Sequence, residues 1–214
     1  MRSPFDLSLY LVLDPDLCRR HSLVETAREA VAGGVTVVQV RHKHASTRER
    51  IALAREVKDA LRGTHALIVM NDDIDAAIEA GVDAVHIGQR DTEPTLARAR
   101  IGPHMILGLS VNSDHAARMI DPSLIDYVGV GPVFATSTKP DHAKPIGLDG
   151  LARIVSLCPL PAVAIGGLKA EHIEHVLAAG AQGVAVVSAI CGTDDPGAAS
   201  AELWACIQDA RGKR

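Results

Sequence analysis

At 214 residues, 47% of them hydrophobic and 22% charged, the chain has the length of one α/β barrel or two small domains and the bulk character of an ordinary globular protein. Its formal net charge of −4 offers no global attraction to nucleic acid or to an anionic membrane, which excludes both by bulk electrostatics and makes any anion site a local one. Aromatic residues contribute only 2%, so alanine, valine, isoleucine and leucine must fill the core, a composition that suits parallel strands covered by helices.

The first apolar run, Leu9 to Leu13, has the length and continuous hydrophobicity of a strand buried on both faces. A helical pattern follows over Leu23 to Ala32, and Ser22 with Glu25 has capping-box spacing. Ala32-Gly33-Gly34 then ends the helix and returns the chain to a second strand, Val35 to Val40. Ser46 with Glu49 repeats the capping box before a helix over Thr47 to Leu61. Strands are expected next at Ala66 to Met70, Ala84 to Ile87, Met105 to Leu109 and Ile125 to Val130, with Ala80-Gly81-Val82 as another helix stop. The last two strands, Ala162 to Ile165 and Val184 to Val187, flank a helix over Ala170 to Ala179 that ends at Gly180, and Trp204 sits in a C-terminal amphipathic helix as a packing residue. Eight β/α units with no linker-like tract predict a closed (β/α)8 TIM barrel, one domain over residues 1–214; an open doubly wound sheet is the alternative.

Cys18, Cys158, Cys191 and Cys206 are widely spaced and form no C-x-x-C pair, which argues against a zinc knuckle or a disulfide framework. The start of the chain, with Arg2, Pro4, Asp6 and Asp14, lacks the basic-then-apolar layout of a secretory leader, and no apolar run reaches the roughly 18 residues of a membrane span. A reduced, cytoplasmic protein with no membrane partner is expected.

A barrel gathers its chemistry at the carboxyl ends of its strands, and here nearly every strand ends in polar residues or glycine. Gln39, Arg41 and Lys43 alternate at the second, so they can share a face toward the mouth; as isolated charges, Arg41 and Lys43 also suit a solvated rim. Asn71-Asp72-Asp73 follows the third and Asp91 the fourth, where two carboxylates could share a hard cation such as Mg²⁺. Either acid could instead cap the helix that follows it. Gly108-Leu109-Ser110 ends the fifth strand. After the sixth comes Gly129-Val130-Gly131-Pro132-Val133-Phe134-Ala135-Thr136-Ser137-Thr138-Lys139, with glycines, hydroxyls and a lysine able to wrap an anion. Gly166-Gly167 and Val187-Ser188 close the seventh and eighth, where phosphate-binding barrels present backbone N–H groups, although glycine there also serves plain turn geometry. His172 and His175, three apart on a helix outside the barrel, read as solvent-facing, and His42 and His44 alternate away from the Arg41 face. The hydroxyl cluster has no evident histidine partner, which argues against a protein nucleophile.

Taken in order, Gln39-x-Arg41-x-Lys43, Asn71-Asp72, His86-x-Gly88-Gln89-x-Asp91, Gly108-x-Ser110, the loop from Gly129 to Lys139, Ile165-Gly166-Gly167 and Val187-Ser188 closely resemble the thiamine-phosphate synthase family over essentially the whole chain. The resemblance implies a transferase that joins a hydroxymethylpyrimidine diphosphate to a thiazole phosphate, forming thiamine phosphate and pyrophosphate, with small molecules as its partners and a homodimer as its assembly. It implies that Gln39, Val40, Arg41, His42, Lys43, Asn71, Ser110 and Lys139 contact the pyrimidine diphosphate, with Arg41, Lys43, Ser110 and Lys139 acting in catalysis. Asp72 and Asp91 bind Mg²⁺ on the same reading, and Thr136, Ser137, Thr138, Gly167, Val187 and Ser188 hold the thiazole phosphate. Pyrophosphate departure leaves a resonance-stabilised pyrimidinylmethyl cation, so charge stabilisation and alignment suffice. A related thiazole tautomerase has no need of Arg41, Lys43, Asn71, Asp72, Asp91 and Lys139 together, and a non-catalytic thiamine phosphate sensor has little use for the two acids.

Overall fold

The computed structural model describes residues 5–18, 20–136, 138 and 143–213. Eight parallel strands, β1 (Leu9–Leu13), β2 (Val37–Val40), β3 (Leu67–Asn71), β4 (Ala84–Ile87), β5 (Ile106–Val111), β6 (Tyr127–Val130), β7 (Ala162–Ile165) and β8 (Gly183–Val186), pair in chain order, and β8 closes on β1. The connecting helices are α1 (Leu23–Ala32), α2 (Thr47–Ala60), α3 (Ile74–Ala80), α4 (Pro94–Ile101), α5 (Asp114–Arg118), α6 (Gly147–Leu157), α7 (Ile173–Ala178) and α8 (Pro196–Gly212). The expected barrel is therefore the observed one, and the open sheet is excluded by the β1–β8 pairing of Leu9 with Val184 through Leu11 with Val186.

Strand interiors match the apolar runs, while their ends follow hydrogen bonding. The second strand starts at Val37 because the Val35 amide still bonds the Ala30 carbonyl of α1, at 3.0 Å. The fifth extends to Val111, two residues beyond the apolar run, because Val111 pairs with Val130 of β6. The helix expected from Ala170 begins as a 3₁₀ turn, Ala170–His172, before α7. Both capping boxes form: the Ser22 side chain accepts from the Glu25 amide and the Ser46 side chain from the Glu49 amide.

Alternation along the strands divides the core in two. Leu9, Leu11, Leu13, Val38, Val40 and Met70 face the helices and pack against Ala27, Ala30, Ala54, Val57 and Ala77. Leu7, Tyr10, Val12, Val37, Val69, Ala84, Ile106, Tyr127, Val163 and Ala185 fill the barrel itself. Small helix-facing residues let the helices sit close on the sheet, which is where the alanine-rich composition goes. Trp204 of α8 packs over the α1–β2 turn, where a side-chain carbon at Gly34 would lie 2.6 Å from its ring.

Candidate active site

The barrel interior is filled by largely apolar side chains through the level of Tyr10 and Val37, and the next level, where Gln39 stands beside Val12, begins the floor of the mouth. Gln39, two residues beyond Val37 on β2, is 4% exposed, and its Nε2 has no hydrogen-bond partner. A buried amide donor without an acceptor is rare, which makes Gln39 a candidate for a ligand contact. Nδ1 of His42 is the other buried side-chain nitrogen in this condition among the described residues. Val40 is different: its side chain is buried in the sheet–helix layer, so only its backbone is at the rim.

Arg41 lies just past β2, and its guanidinium is ion-paired with Asp14, the residue that follows β1. The pair is largely buried, and the other Asp14 carboxylate oxygen accepts from the Asp16 amide at 3.0 Å, so Arg41 is held rather than free to swing. Lys43 is exposed on the next turn and, with His42, Arg50, Asn71, Asp72 and Asp73, lines a pocket of about 260 Å³. Arg50 of α2 braces that turn, donating to the His42 carbonyl at 3.0 Å and to the Lys43 carbonyl at 3.2 Å.

Neither acid is the helix cap that sequence spacing allowed. Asp73 caps α3, accepting from the Ala76 amide at 2.9 Å, and its second oxygen takes Arg50 and Thr47, each at 2.9 Å. Glu93 caps α4, while Asp91 accepts from the Gly88 amide at 2.7 Å. Asp72 sits in a tight turn, closed by the Asp73 amide on the Asn71 carbonyl at 2.7 Å, and has φ of 60°, the sparsely populated left-handed region for a residue other than glycine. That conformation aims its carboxylate over the mouth, where it accepts from the Asn71 side-chain amide and feels the charge of nearby Asp91. Crowding by surrounding protein and the adjacent Asp91 charge push the Asp72 carboxyl up to about 6, against the pull of Asn71 and Arg41. Two carboxylates set close enough to raise the proton affinity of Asp72 could hold a divalent cation, which prefers such hard oxygen donors. Among the described residues no group of three or more metal-ligating side chains occurs, so such a cation would complete its shell with water and substrate oxygens.

Ser110 stands on β5 with its hydroxyl 3.0 Å from Nε2 of His86 on β4, and its carbonyl takes the Gln89 side chain at 2.6 Å. Across the rim, the loop after β6 and the glycines after β7 are built together. Val133 donates to the Ile165 carbonyl at 2.9 Å and Phe134 to the Gly166 carbonyl at 3.0 Å. A side-chain carbon at Gly167, whose φ is 63°, would come within 2.5 Å of the Ala135 carbonyl oxygen. Thr136 accepts from the Thr138 amide at 3.2 Å within this loop, and Ser137 and Lys139 lie outside the described residues. Val187 and the exposed Ser188 follow β8, next to β7 in the barrel. None of the described β6–β8 rim residues is among those lining the pocket of Lys43 and Asp72.

Three contributors were passed over by reading strand ends for acids and amides. Asp14 follows an apolar run as directly as Asp72 does. Arg50 reaches the pocket from α2, which sequence cannot show, and His86 lies inside a strand. His172 also departs from expectation: its ring packs on Phe134, with centroids 4.5 Å apart, and accepts from the Lys169 amide at 3.1 Å.

The family model described as thiamine monophosphate synthase matches residues 9–190. The thiamine-phosphate synthase of Azorhizobium caulinodans is 46% identical over 99% of this chain and 100% of its own length, and that of Chloroflexus aurantiacus is 45% identical over 94% and 93%. The solved thiamine phosphate pyrophosphorylase of Pyrococcus furiosus superposes with a TM-score of 0.86 at 35% identity, covering 95% of this chain and 96% of that one. A 3-hexulose-6-phosphate synthase, at 20% identity and a TM-score of 0.69 over 94% of this chain and 99% of that one, shares the fold alone. A barrel whose mouth pairs a carboxylate pocket with a hydroxyl- and glycine-built rim, matched by relatives along nearly its full length, thus belongs to the thiamine monophosphate synthase family.

Proposed function

We propose that the mouth of this barrel is where a pyrimidine diphosphate and a thiazole phosphate meet, the first over β2 to β5 and the second over β6 to β8. The enzyme is a transferase: it forms a C–N bond between the pyrimidine methylene and the thiazole nitrogen, releasing pyrophosphate and giving thiamine phosphate. The observation that carries the site assignment is the Asp72–Asp91 pair beside a pocket lined by His42, Lys43 and Arg50. Paired acids bordered by cations suit a metal-bound diphosphate and have no evident use in holding a lone monophosphate.

Asp72 and Asp91 would hold Mg²⁺, which when bound supplies positive charge to the leaving diphosphate. Arg41, fixed by Asp14, and Lys43 neutralise the remaining oxygens, and Lys139 belongs to the same group of cations. Asn71 donates to the acid pair and borders the diphosphate. Gln39 offers its unpartnered Nε2 to an acceptor on the pyrimidine. Val40 and His42 contribute backbone and imidazole edges, and Ser110 hydrogen-bonds at the reacting carbon's end of the pocket. Thr136, Ser137, Thr138, Gly167, Val187 and Ser188 surround the thiazole phosphate, with backbone N–H groups freed by glycine geometry. As the C–O bond breaks, charge grows on the diphosphate, and groups already in place lower the barrier without reorganising. No protein nucleophile is needed.

Incubating the protein with both substrates and Mg²⁺ should release pyrophosphate with formation of thiamine phosphate, and EDTA should stop it. Turnover that persists in EDTA would remove the metal from the scheme. The assembly is a homodimer and its location the cytoplasm on this reading. Four free cysteines suit a reducing compartment, and no described helix is long and apolar enough to cross a membrane. Light scattering of the purified protein and cell fractionation test the two.

A further inference from the structure

Below Ser110 the barrel interior contains a continuous line of side-chain hydrogen bonds. Nε2 of His86 lies 3.0 Å from the Ser110 hydroxyl, Nδ1 of His86 lies 3.0 Å from the Tyr127 hydroxyl, and the Tyr127 and Tyr10 hydroxyls are 3.0 Å apart. Both tyrosines are buried, 3% and 1% exposed, in a layer otherwise made of Leu7, Val12, Val37, Val69, Ala84, Ile106, Val163 and Ala185. Room for the rings comes from two glycines. A side-chain carbon at Gly108 would stand 2.2 Å from Cζ of Tyr127 and 2.5 Å from Nδ1 of His86, and one at Gly129 would stand 3.1 Å from Cε1 of His86. With Phe5 and Tyr10 also against Tyr127, at centroid separations of 6.0 and 6.2 Å, the rings have little freedom to turn.

A neutral imidazole donates from one nitrogen and accepts at the other, so the line runs in one of two directions. Running inward, Ser110 donates to His86, His86 to Tyr127 and Tyr127 to Tyr10, and the Tyr10 hydrogen is left facing the apolar layer. Among the described residues, the hydrogen-bond partner of the Tyr10 hydroxyl is Tyr127. An unmade donor in such surroundings is costly. Running outward, Tyr10 donates to Tyr127, Tyr127 to Nδ1 of His86, and Nε2–H to Ser110, and every hydrogen is used except that of Ser110, which faces the mouth. Burial keeps both phenols protonated, raising each above its ordinary value, so both remain donors.

We propose that His86 is a positioning residue, held as the Nε2–H tautomer by Tyr127 and Tyr10, which turns the Ser110 hydroxyl into a hydrogen-bond donor aimed at the departing diphosphate oxygen. No proton changes owner; the hydrogen bond strengthens as charge develops on that oxygen. The role of Ser110 rests on the transferase reading, whereas the direction of the line does not.

The test is long-range ¹H–¹⁵N NMR of histidine-labelled protein without substrates, with the His86 signal identified by its loss in His86→Gln. The Nε2–H tautomer is expected. In Tyr127→Phe the donor to Nδ1 is gone, so the tautomer should become mixed and kcat should fall about 10-fold with KM for the pyrimidine diphosphate unchanged. Combined with Ser110→Ala, it should add nothing further. An Nδ1–H ring or a doubly protonated imidazolium in the wild-type protein overturns the proposal, as does a Tyr127→Phe loss that adds in full to Ser110→Ala. If no thiamine phosphate forms at all, the transferase reading fails while the NMR result still decides the direction.

Discussion

Asp72 and Asp91 lie close together at the ends of neighbouring strands, and burial together with the Asp91 charge pushes the Asp72 carboxyl up to about 6. A raised carboxyl disfavours its charged form. Between the ordinary carboxylate range and that value, the metal-free folded chain keeps a proton that the unfolded chain has released, so stability falls as pH rises through this window and levels above it. A cation at the pair must displace the same proton. The Mg²⁺ concentration giving half-maximal rate is therefore expected to rise as pH falls through about 6. Magnesium titrations on either side of that value check it, and identical half-saturation points would be inconsistent with the paired-acid site.

Asp91→Asn removes one charge of the pair and relieves Asp72. Activity at limiting Mg²⁺ should drop by at least the ~10–100-fold that loss of an outer-shell partner costs a metal site. Asp91 is exposed, so the urea midpoint should barely move. In difference titrations the Asp72 carboxyl should return toward the ordinary range, because its principal neighbouring charge has gone.

Asp14→Asn tests whether Arg41 is held in place. Breaking a largely buried ion pair from one side costs about 3–5 kcal/mol in fully buried cases, and this pair keeps some solvent contact, so about 2 kcal/mol is expected from urea unfolding. KM for the pyrimidine diphosphate should rise along with the loss. Unchanged stability and KM would mean that Arg41 needs no partner.

Gly108→Ala places a methyl group into Tyr127 and His86 at distances no real contact tolerates. Overpacking of this kind costs about 1–3 kcal/mol. Calorimetry should show a lower Tm, and the His86 tautomer should lose its single form.

Ser46→Ala removes a capping box at the exposed start of α2 and should lower stability by about 1 kcal/mol with an unchanged denaturant slope.

The barrel was legible because its local signals agree. Apolar runs of strand length, capping boxes at Ser22 and Ser46, and a glycine at the end of α3 each mark an element without knowledge of the rest. Acids and amides at strand ends also stood out, since a parallel barrel delivers every such end to one rim. Asp72 as a non-cap was not legible, because a cap and a mouth carboxylate share one residue type and differ by a single backbone turn. That turn depends on the Asp72 amide reaching the His86 carbonyl, at 2.9 Å, on another strand.

Sequence alone determined the period of the elements, their number and the chemistry available at each strand end, because these follow from side-chain pattern along a local stretch. Tertiary structure decided which groups act on one another: Asp14 with Arg41, Arg50 with the Lys43 turn, and Tyr10 with Tyr127, His86 and Ser110. Such pairs join residues up to 117 positions apart. Only closure of the barrel excludes enough water to make their hydrogen bonds directional and their charges felt.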